Sequence, residues 1–376
     1  MSLRVRRIEN AREFVALGPL WAELAGGSGQ TSPFLSYDWF WCCWHAVWPR
    51  RHPEILLVEE AAGPVAIIPM MRWKEHFHGL PVRYLGFLEC PDTPMVDMLS
   101  VGEPGPVIDA FLDHLRSRSD WDVVQLQKLP ATSPTLTTLE GALSGRLPWR
   151  RAGSLFSPYL TITGGWGTFY GAKSQRFKKT WRNIQNRLER AGPVSVEEHR
   201  AVEPGTPLFR EAIEVTGRSW KAGQGVAIAT MPRMPEFFKE LTRRASNHGW
   251  LSLWLLRLNG RVIAMEYQLR ADGTVHALRA DYDATYQELS PGTALNFAIV
   301  RSLFERGGVQ GYDMGPGLNE YKCRWATGSH ETVHLKLYRR HLYSRFLYKM
   351  EAAVIPAARR WRERARARRS AGGGLG

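Results

Sequence analysis

The residues with the richest chemistry fall between Ala280 and Trp325. Ser290-Pro291-Gly292-Thr293 has the form of a helix start. Ser290 can cap, Pro291 suits a first position that needs no donor, and the amides of Gly292 to Leu295 are left without partners. Free amides that follow a strand and a loop, with a glycine permitting close backbone approach, can cradle a pyrophosphate. The same tetrapeptide also serves simply as a well-capped helix. Glu266 sits mid-strand among Val262, Ile263, Ala264 and Met265, where burial raises a carboxyl pKa. A two-residue turn at Asp272-Gly273 would set it opposite Arg279 as an ion pair, and a three-residue turn opposite Leu278, beside Gln268 and His276. Tyr282, Tyr321 and Lys322 stand near strand mouths as site or rim residues, and Asp313 can cap the turn into Gly315-Pro316-Gly317. Trp220 and Lys221 end a helix, where they line a groove or pack the helix end.

The elements that must position these residues follow from periodicity and turn chemistry. In the first half, strands are expected at 3–7, 54–60, 65–71, 82–88 and 121–126, with helices at 11–24, 37–48 and 107–118 and turn-rich sequence up to Trp149. In the second half, strands are expected at 157–163, 194–198, 251–258, 262–270 and 274–282, then one ending at Asp313 and a last at 333–338. Its helices are a long basic one ending near Arg190, then 208–221, 234–247 and one opening at Pro291. Asn259-Gly260 and Asp272-Gly273 are dipeptides that close tight hairpins. An antiparallel meander followed by one helix and one further strand occurs twice, which predicts an α/β fold with mixed sheets and a duplicated unit.

Composition agrees. At 376 residues, 44% hydrophobic and 23% charged, the chain has ordinary core material for two domains, and a disordered or collagen-like protein is excluded. No run reaches the roughly 18–20 apolar residues that span a bilayer, and no apolar core follows the basic N-terminus, so a cytoplasmic protein without a signal peptide is expected. Cys42, Cys43, Cys90 and Cys323 show no zinc spacing, so they are expected to be buried or part-buried thiols, with no metal. The net charge of +14 is uneven: eleven Lys and Arg lie between Tyr338 and Arg369 against Glu351 and Glu363, and a second basic cluster spans Thr168 to Arg190. Such runs are solvated faces or docking surfaces for an anionic lipid, a nucleic acid or a phosphorylated cofactor. Residues 341–376 form a basic tail in which Leu342, Phe346, Leu347, Met350 and Val354 recur at helical spacing, the composition of an interfacial membrane anchor.

Together, Tyr282-Asp283, Tyr286, Ser290-Pro291-Gly292-Thr293, Asp313-Met314-Gly315-Pro316-Gly317 and Tyr321-Lys322 make the chain resemble the CelD/BcsL-like acetyltransferases of the GNAT superfamily. Arg190-Ala191-Gly192, Ser219-Trp220-Lys221, Pro33-Phe34-Leu35 with Trp39, and Ile68-Pro69-Met70 extend the likeness over about residues 30–340. The superfamily's usual phosphate loop reads Arg/Gln-x-x-Gly-x-Gly/Ala, and Gln287 to Thr293 departs from it. The resemblance implies two tandem GNAT-like domains related to the FemABX transferases: 1–153 degenerate, 154–340 catalytic, and 341–376 as the tail. It implies an acyl-CoA or acetyl-CoA donor held by Ser290, Gly292, Thr293 and Ala294. Glu266 would be the base, Tyr321 the acid beside the leaving thiolate, and Tyr282 would lie near the acyl carbonyl. Trp220, Lys221, His276 and Lys322 would meet the acceptor. The implied activity is N-acyl transfer to a lipid amine (a sphingoid base, as in ceramide synthesis) or an amino sugar, at the inner membrane surface and without nucleic acid. Transfer from aminoacyl-tRNA and a non-catalytic scaffold in envelope polysaccharide assembly are the alternatives.

Overall fold

The computed structural model describes residues 3–46 and 50–354. The first half runs β1 (Arg4–Ile8), α1 (Ala11–Ala16), α2 (Gly18–Ser28), α3 (Tyr37–His45), β2 (Arg51–Glu60), β3 (Gly63–Phe77), β4 (Leu80–Phe87), β5 (Leu99–Ser100), α4 (Pro104–Ser117), β6 (Val123–Pro130) and α5 (Pro134–Leu143). The second half runs β7 (Trp149–Thr161), α6 (Trp166–Gly171), α7 (Gln175–Ala191), β8 (Val194–His199), α8 (Pro207–Gly217), α9 (Met234–Asn247), β9 (Leu251–Leu258), β10 (Arg261–Ala271), β11 (Thr274–Tyr282), α10 (Pro291–Arg306), β12 (Gly311–Asp313), α11 (Glu320–Cys323), β13 (Gly328–Tyr338) and α12 (Leu342–Lys349).

The strands make one mixed sheet in the order β1-β2-β3-β4-β6-β13-β7-β12-β11-β10-β9-β8, with β5 on β3. Its only parallel pairs among the described residues are β4 with β6 and β11 with β12. Each closes an antiparallel meander across one helix, α4 or α10, so the same unit occurs twice. The C-terminal β13 inserts between β6 and β7 and stitches the two units into one sheet. β7 runs through the boundary expected at 153/154, and one apolar core continues from Phe14 and Trp39 to Phe237 and Tyr267.

Two hairpins form as their turn residues require: Asn259-Gly260 and Asp272-Gly273 all take positive φ, the geometry of a tight two-residue loop. Gly18-Pro19 breaks the helix expected over 11–24 into α1 and α2. The basic helix is likewise two pieces, because Ser174 caps a fresh start, its hydroxyl accepting from the Phe177 amide at 3.2 Å. α5 was hidden by its turn-rich sequence, although Ser133 caps it and Leu136, Leu139 and Leu143 bury at helical spacing. The last two residues of the helix expected over 37–48 lie outside the described residues.

The tail begins as α12, but its apolar residues do not share one face. Leu347 is buried in the core with Ser344, and Glu351 pairs with Lys336 at 2.8 Å, whereas Leu342 and Phe346 are 81% and 47% exposed. The basic run beyond Pro356 lies outside the described residues. Among those residues no helix is long and apolar enough to cross a membrane, and no cluster of metal-ligating side chains occurs. Cys42, Cys43 and Cys90 are buried thiols and Cys323 is exposed.

Candidate active site

β11 and β12 are hydrogen-bonded only from Thr274 to His276 and from Gly311 to Asp313. Beyond that point β11 continues along β10 while the chain after β12 turns away. The divergence is held open by Gly315 and Lys322. A Cβ on Gly315, which has φ 72°, would sit 2.8 Å from the Ala277 carbonyl oxygen. The buried Lys322 ammonium donates to the carbonyls of Gly315 and Pro316 at 3.0 and 2.9 Å. Asp313 accepts from the Gly315 amide at 2.8 Å, the turn cap expected of it. A cavity of about 670 Å³ opens in the gap. The first half walls it with Pro91 to Pro94 and Lys128, and the second with β11, the first turns of α10 and the β12–α11 segment. A further cleft of about 590 Å³ lies at the opposite, Asp272-Gly273 end of the hairpin, away from these groups.

Glu266 lines the floor of the cavity and is 3% exposed. It pairs with neither Arg279 nor Leu278. The tight turn begins the register, but a bulge between Tyr267 and Gln268 shifts it, so Glu266 faces Ala280. The small alanine leaves room above the carboxylate, and Arg279 reaches instead to Asp92 of the first half at 2.7 Å. Tyr312 and Gln268 both donate to Glu266 Oε1, Gln268 at 2.7 Å. Ser252 donates to Gln268 Oε1 at 3.0 Å and fixes the amide's orientation, while Asn296 donates to the Tyr312 hydroxyl at 3.3 Å. Among the described residues no group is hydrogen-bonded to Glu266 Oε2. Burial pushes the carboxyl above the usual range, against the Tyr312 and Gln268 donors and the Lys322 charge.

The other groups respond to the same dry surroundings. Burial and the charges of Glu266 and Asp281 hold the Tyr321 hydroxyl well above its usual range. Burial lowers Lys322 to about 8 in spite of Glu266 and Asp313. Burial raises Asp92 and outweighs the opposing Arg279. Asp281 is buried, with Lys221 Nζ 3.0 Å from Oδ1. Lys221 directs its hydrogen bond to the Ala280 carbonyl at 2.6 Å, and neither Asp281 oxygen receives a directed one.

The start of α10 differs from what the tetrapeptide predicts. Ser290 does not cap: it has φ 54°, and its hydroxyl bonds to no first-turn amide but accepts from Arg187 at 3.4 Å. The Ala294 amide bonds to the Ser290 carbonyl at 3.1 Å, which leaves Gly292 and Thr293 as the first-turn amides without an acceptor among the described residues. A Cβ on Gly292 would meet the Tyr282 ring at 3.2 Å, so this glycine admits Tyr282 rather than open space. Thr293, Asn296 and Tyr321 are shared with a second cavity of about 360 Å³ that runs beneath α7 past Arg176, Trp181, Phe297 and Trp325.

Thus Glu266, Tyr321, Tyr282, Gly292, Thr293, Trp220, Lys221 and Lys322 all line one cavity. Ser290 and Ala294 sit beside it, and His276 does not reach it, packing edge-on against Phe34 with its pKa lowered by burial. Sequence reasoning missed Tyr312, Asn296, Asp281 and Asp92, and it named Gln268 and Arg279 only as neighbours of Glu266 in alternative registers. The period-2 alternation of β10 gave a signal for Gln268, which shares a strand face with Glu266, whereas Asp92 is 174 residues from Glu266 in the chain. A carboxylate with raised pKa and one open oxygen, a tyrosine beside it, and two free amides at a helix start can together remove a proton, return one, and hold a phosphate.

Residues 175–323 match the family model of the acetyltransferase (GNAT) domain. No curated protein matches the sequence. Solved structures of similar fold include a conserved protein of unknown function from Bacteroides thetaiotaomicron (TM-score 0.55, 10% identity, covering 85% of this chain and 96% of that one). FemX is similar at TM-score 0.53 and 10% identity, over 92% and 99% of the two chains. L-PGS from Bacillus licheniformis is similar at TM-score 0.52 and 12% identity, over 90% and 96%. These likenesses are of fold alone, a mixed α/β architecture shared over most of each chain.

Proposed function

We propose that this GNAT-type chain is an N-acyltransferase of the CelD/BcsL-like kind, taking the acyl group of an acyl-CoA thioester to a primary amine. The observation that carries the reading is the parting of β11 from β12 around a buried carboxylate with one open oxygen, next to the free amides of Gly292 and Thr293. Those two amides and the neighbouring Arg187 suit a pyrophosphate, and the strand gap suits a narrow pantetheine arm. Glu266 takes a proton from the acceptor ammonium. The neutral nitrogen forms the C–N bond as the C–S bond breaks, and Tyr321 passes the second nitrogen proton to the leaving sulfur, giving amide and free thiol. Asn296 and Tyr312 hold Glu266 in place, and Lys322 holds the Gly315-Pro316 wall. Residues 1–153 act as the degenerate unit that supplies the acceptor-side wall, with Trp220 and Lys221 opposite.

The acceptor is an amine of a lipid or amino sugar at a membrane surface. Support for that location is the exposure of Leu342 and Phe346 beside Arg345 and Lys349 on α12. Thiol release from a panel of acyl-CoA donors should depend on added amine, and a long-chain amine in anionic vesicles should be used better than a soluble one. Leu342→Glu with Phe346→Glu should remove that preference and leave soluble-amine turnover intact. Thiol release that ignores every amine overturns the activity, and an unchanged vesicle preference overturns the location.

A further inference from the structure

The basic helix α7 has a location and a charge state that a coenzyme does not account for. Phe177, Trp181, Ile184 and Leu188 face inward, and Trp181 stacks on Phe297 of α10 with centroids 3.5 Å apart. This packing fixes α7 over the second cavity, beside the free amides of Gly292 and Thr293. Its cations Arg176, Lys178, Lys179, Arg182, Arg187 and Arg190 are set at spacings of three and four residues, where like charges oppose the helix. The described residues hold many ion pairs, exposed ones included, yet no carboxylate comes within 4.0 Å of any of these six.

Five of the six cations divide by direction, and Lys178 is held by the Gly171 carbonyl at 2.6 Å. Arg176 lines the second cavity and Arg187 reaches Ser290, so these two face the donor slot. Lys179, Arg182 and Arg190 are exposed on the side opposite Phe177 and Ile184. The row from Arg176 to Arg190 extends about 21 Å at 1.5 Å per residue. The three phosphates of a coenzyme in the slot cannot reach its outer face. A bilayer fits poorly, because Gln175, Asn183, Asn186 and Glu189 separate the outer cations and offer nothing apolar to insert. A single-stranded RNA end would want exposed rings to stack on, and that face of α7 has none.

We propose that the outer face of α7 docks an acidic carrier protein that bears the acyl group as a phosphopantetheine thioester. This inference rests on the thioester-transfer reading above. The carrier's acidic surface meets Lys179, Arg182 and Arg190, its phosphodiester meets the Gly292 and Thr293 amides, and its arm enters between β11 and β12. The chemistry is unchanged: the acyl C–S bond breaks, the C–N bond forms, and the carrier departs with a free thiol. An acyl-CoA is then a smaller donor that uses the slot alone.

The test uses the full chain, hexadecanoyl-CoA, and the same acyl group on a holo acyl carrier protein, with binding of the carrier measured by calorimetry alongside turnover. Wild-type protein should bind the carrier with a Kd that weakens steeply with salt. Lys179→Glu/Arg182→Glu/Arg190→Glu should weaken that binding and raise the carrier KM by about tenfold or more, while kcat and KM for hexadecanoyl-CoA stay within about twofold. Equal loss with both donors, or no change with either, overturns the proposal, as does tighter salt-dependent binding of tRNA or anionic vesicles through the same three residues. Absence of turnover with hexadecanoyl-CoA would count against the thioester-transfer reading, whereas carrier binding by calorimetry decides the docking surface separately.

Discussion

Glu266 combines two properties that normally exclude each other: it is buried among strands, and one of its oxygens stays open to a cavity. Desolvation disfavours its charge, so the folded protein binds its proton more tightly than the unfolded chain does. Stability from this group is therefore full below the usual glutamate range and falls as pH rises toward the raised folded value. Catalysis by a base needs the opposite, deprotonated form. Glu266→Gln should lower kcat by about 10²- to 10⁴-fold and flatten the acid limb of the pH–rate profile. The same variant should melt no lower than wild type near pH 8, since it removes a buried charge and keeps the acceptor for Tyr312 and Gln268. A wild-type acid limb in the variant would show that another group is the base.

At the scale of elements, the site depends on two parallel strands that part after three residue pairs. Gly315 is where the returning chain comes closest to β11, and its positive φ and the 2.8 Å approach to the Ala277 carbonyl both exclude a Cβ. Gly315→Ala should cost about 1–3 kcal/mol, visible in urea unfolding, and should lower kcat/KM for the thioester because the loop held by Lys322 must shift. Equal stability and activity in the variant would mean that the loop is not the wall it is taken to be. α10 illustrates how local rules and their outcome can differ. The Ser-Pro-Gly-Thr signature does mark a helix start, yet Ser290 turns the chain into α10 in the left-handed region and its hydroxyl makes no cap hydrogen bond.

Across the whole molecule, the cavity belongs to both units. Asp92 and Arg279 meet at 2.7 Å with both side chains nearly buried, joining the first-half loop to β11. Removing one partner of such a pair leaves a charge stranded. Asp92→Asn should therefore destabilise the chain by about 3–5 kcal/mol, whereas the double variant Asp92→Asn/Arg279→Met should recover much of the loss in denaturant unfolding. Additive losses would show that the two side chains do not act as a pair.

Much of the architecture was legible because it is local. Alternating apolar residues, the Asn-Gly and Asp-Gly turns, and proline at helix starts each constrain φ, ψ and burial within a few residues, so the meanders and most helix positions follow from the chain alone. So does the presence of an ionisable strand residue at Glu266. α5 and the break at Gly18-Pro19 were obscured where turn-formers and helix-formers share a few positions. What the tertiary structure decided is who faces whom. A single bulge at Gln268 moved Glu266 from Arg279 to Ala280. The insertion of β13 between β6 and β7 joined two units into one sheet, and packing alone brought Tyr312, Asn296 and Asp92 to the cavity. Register and long-range pairing are set by the energy of the whole sheet and core, which no window of sequence contains.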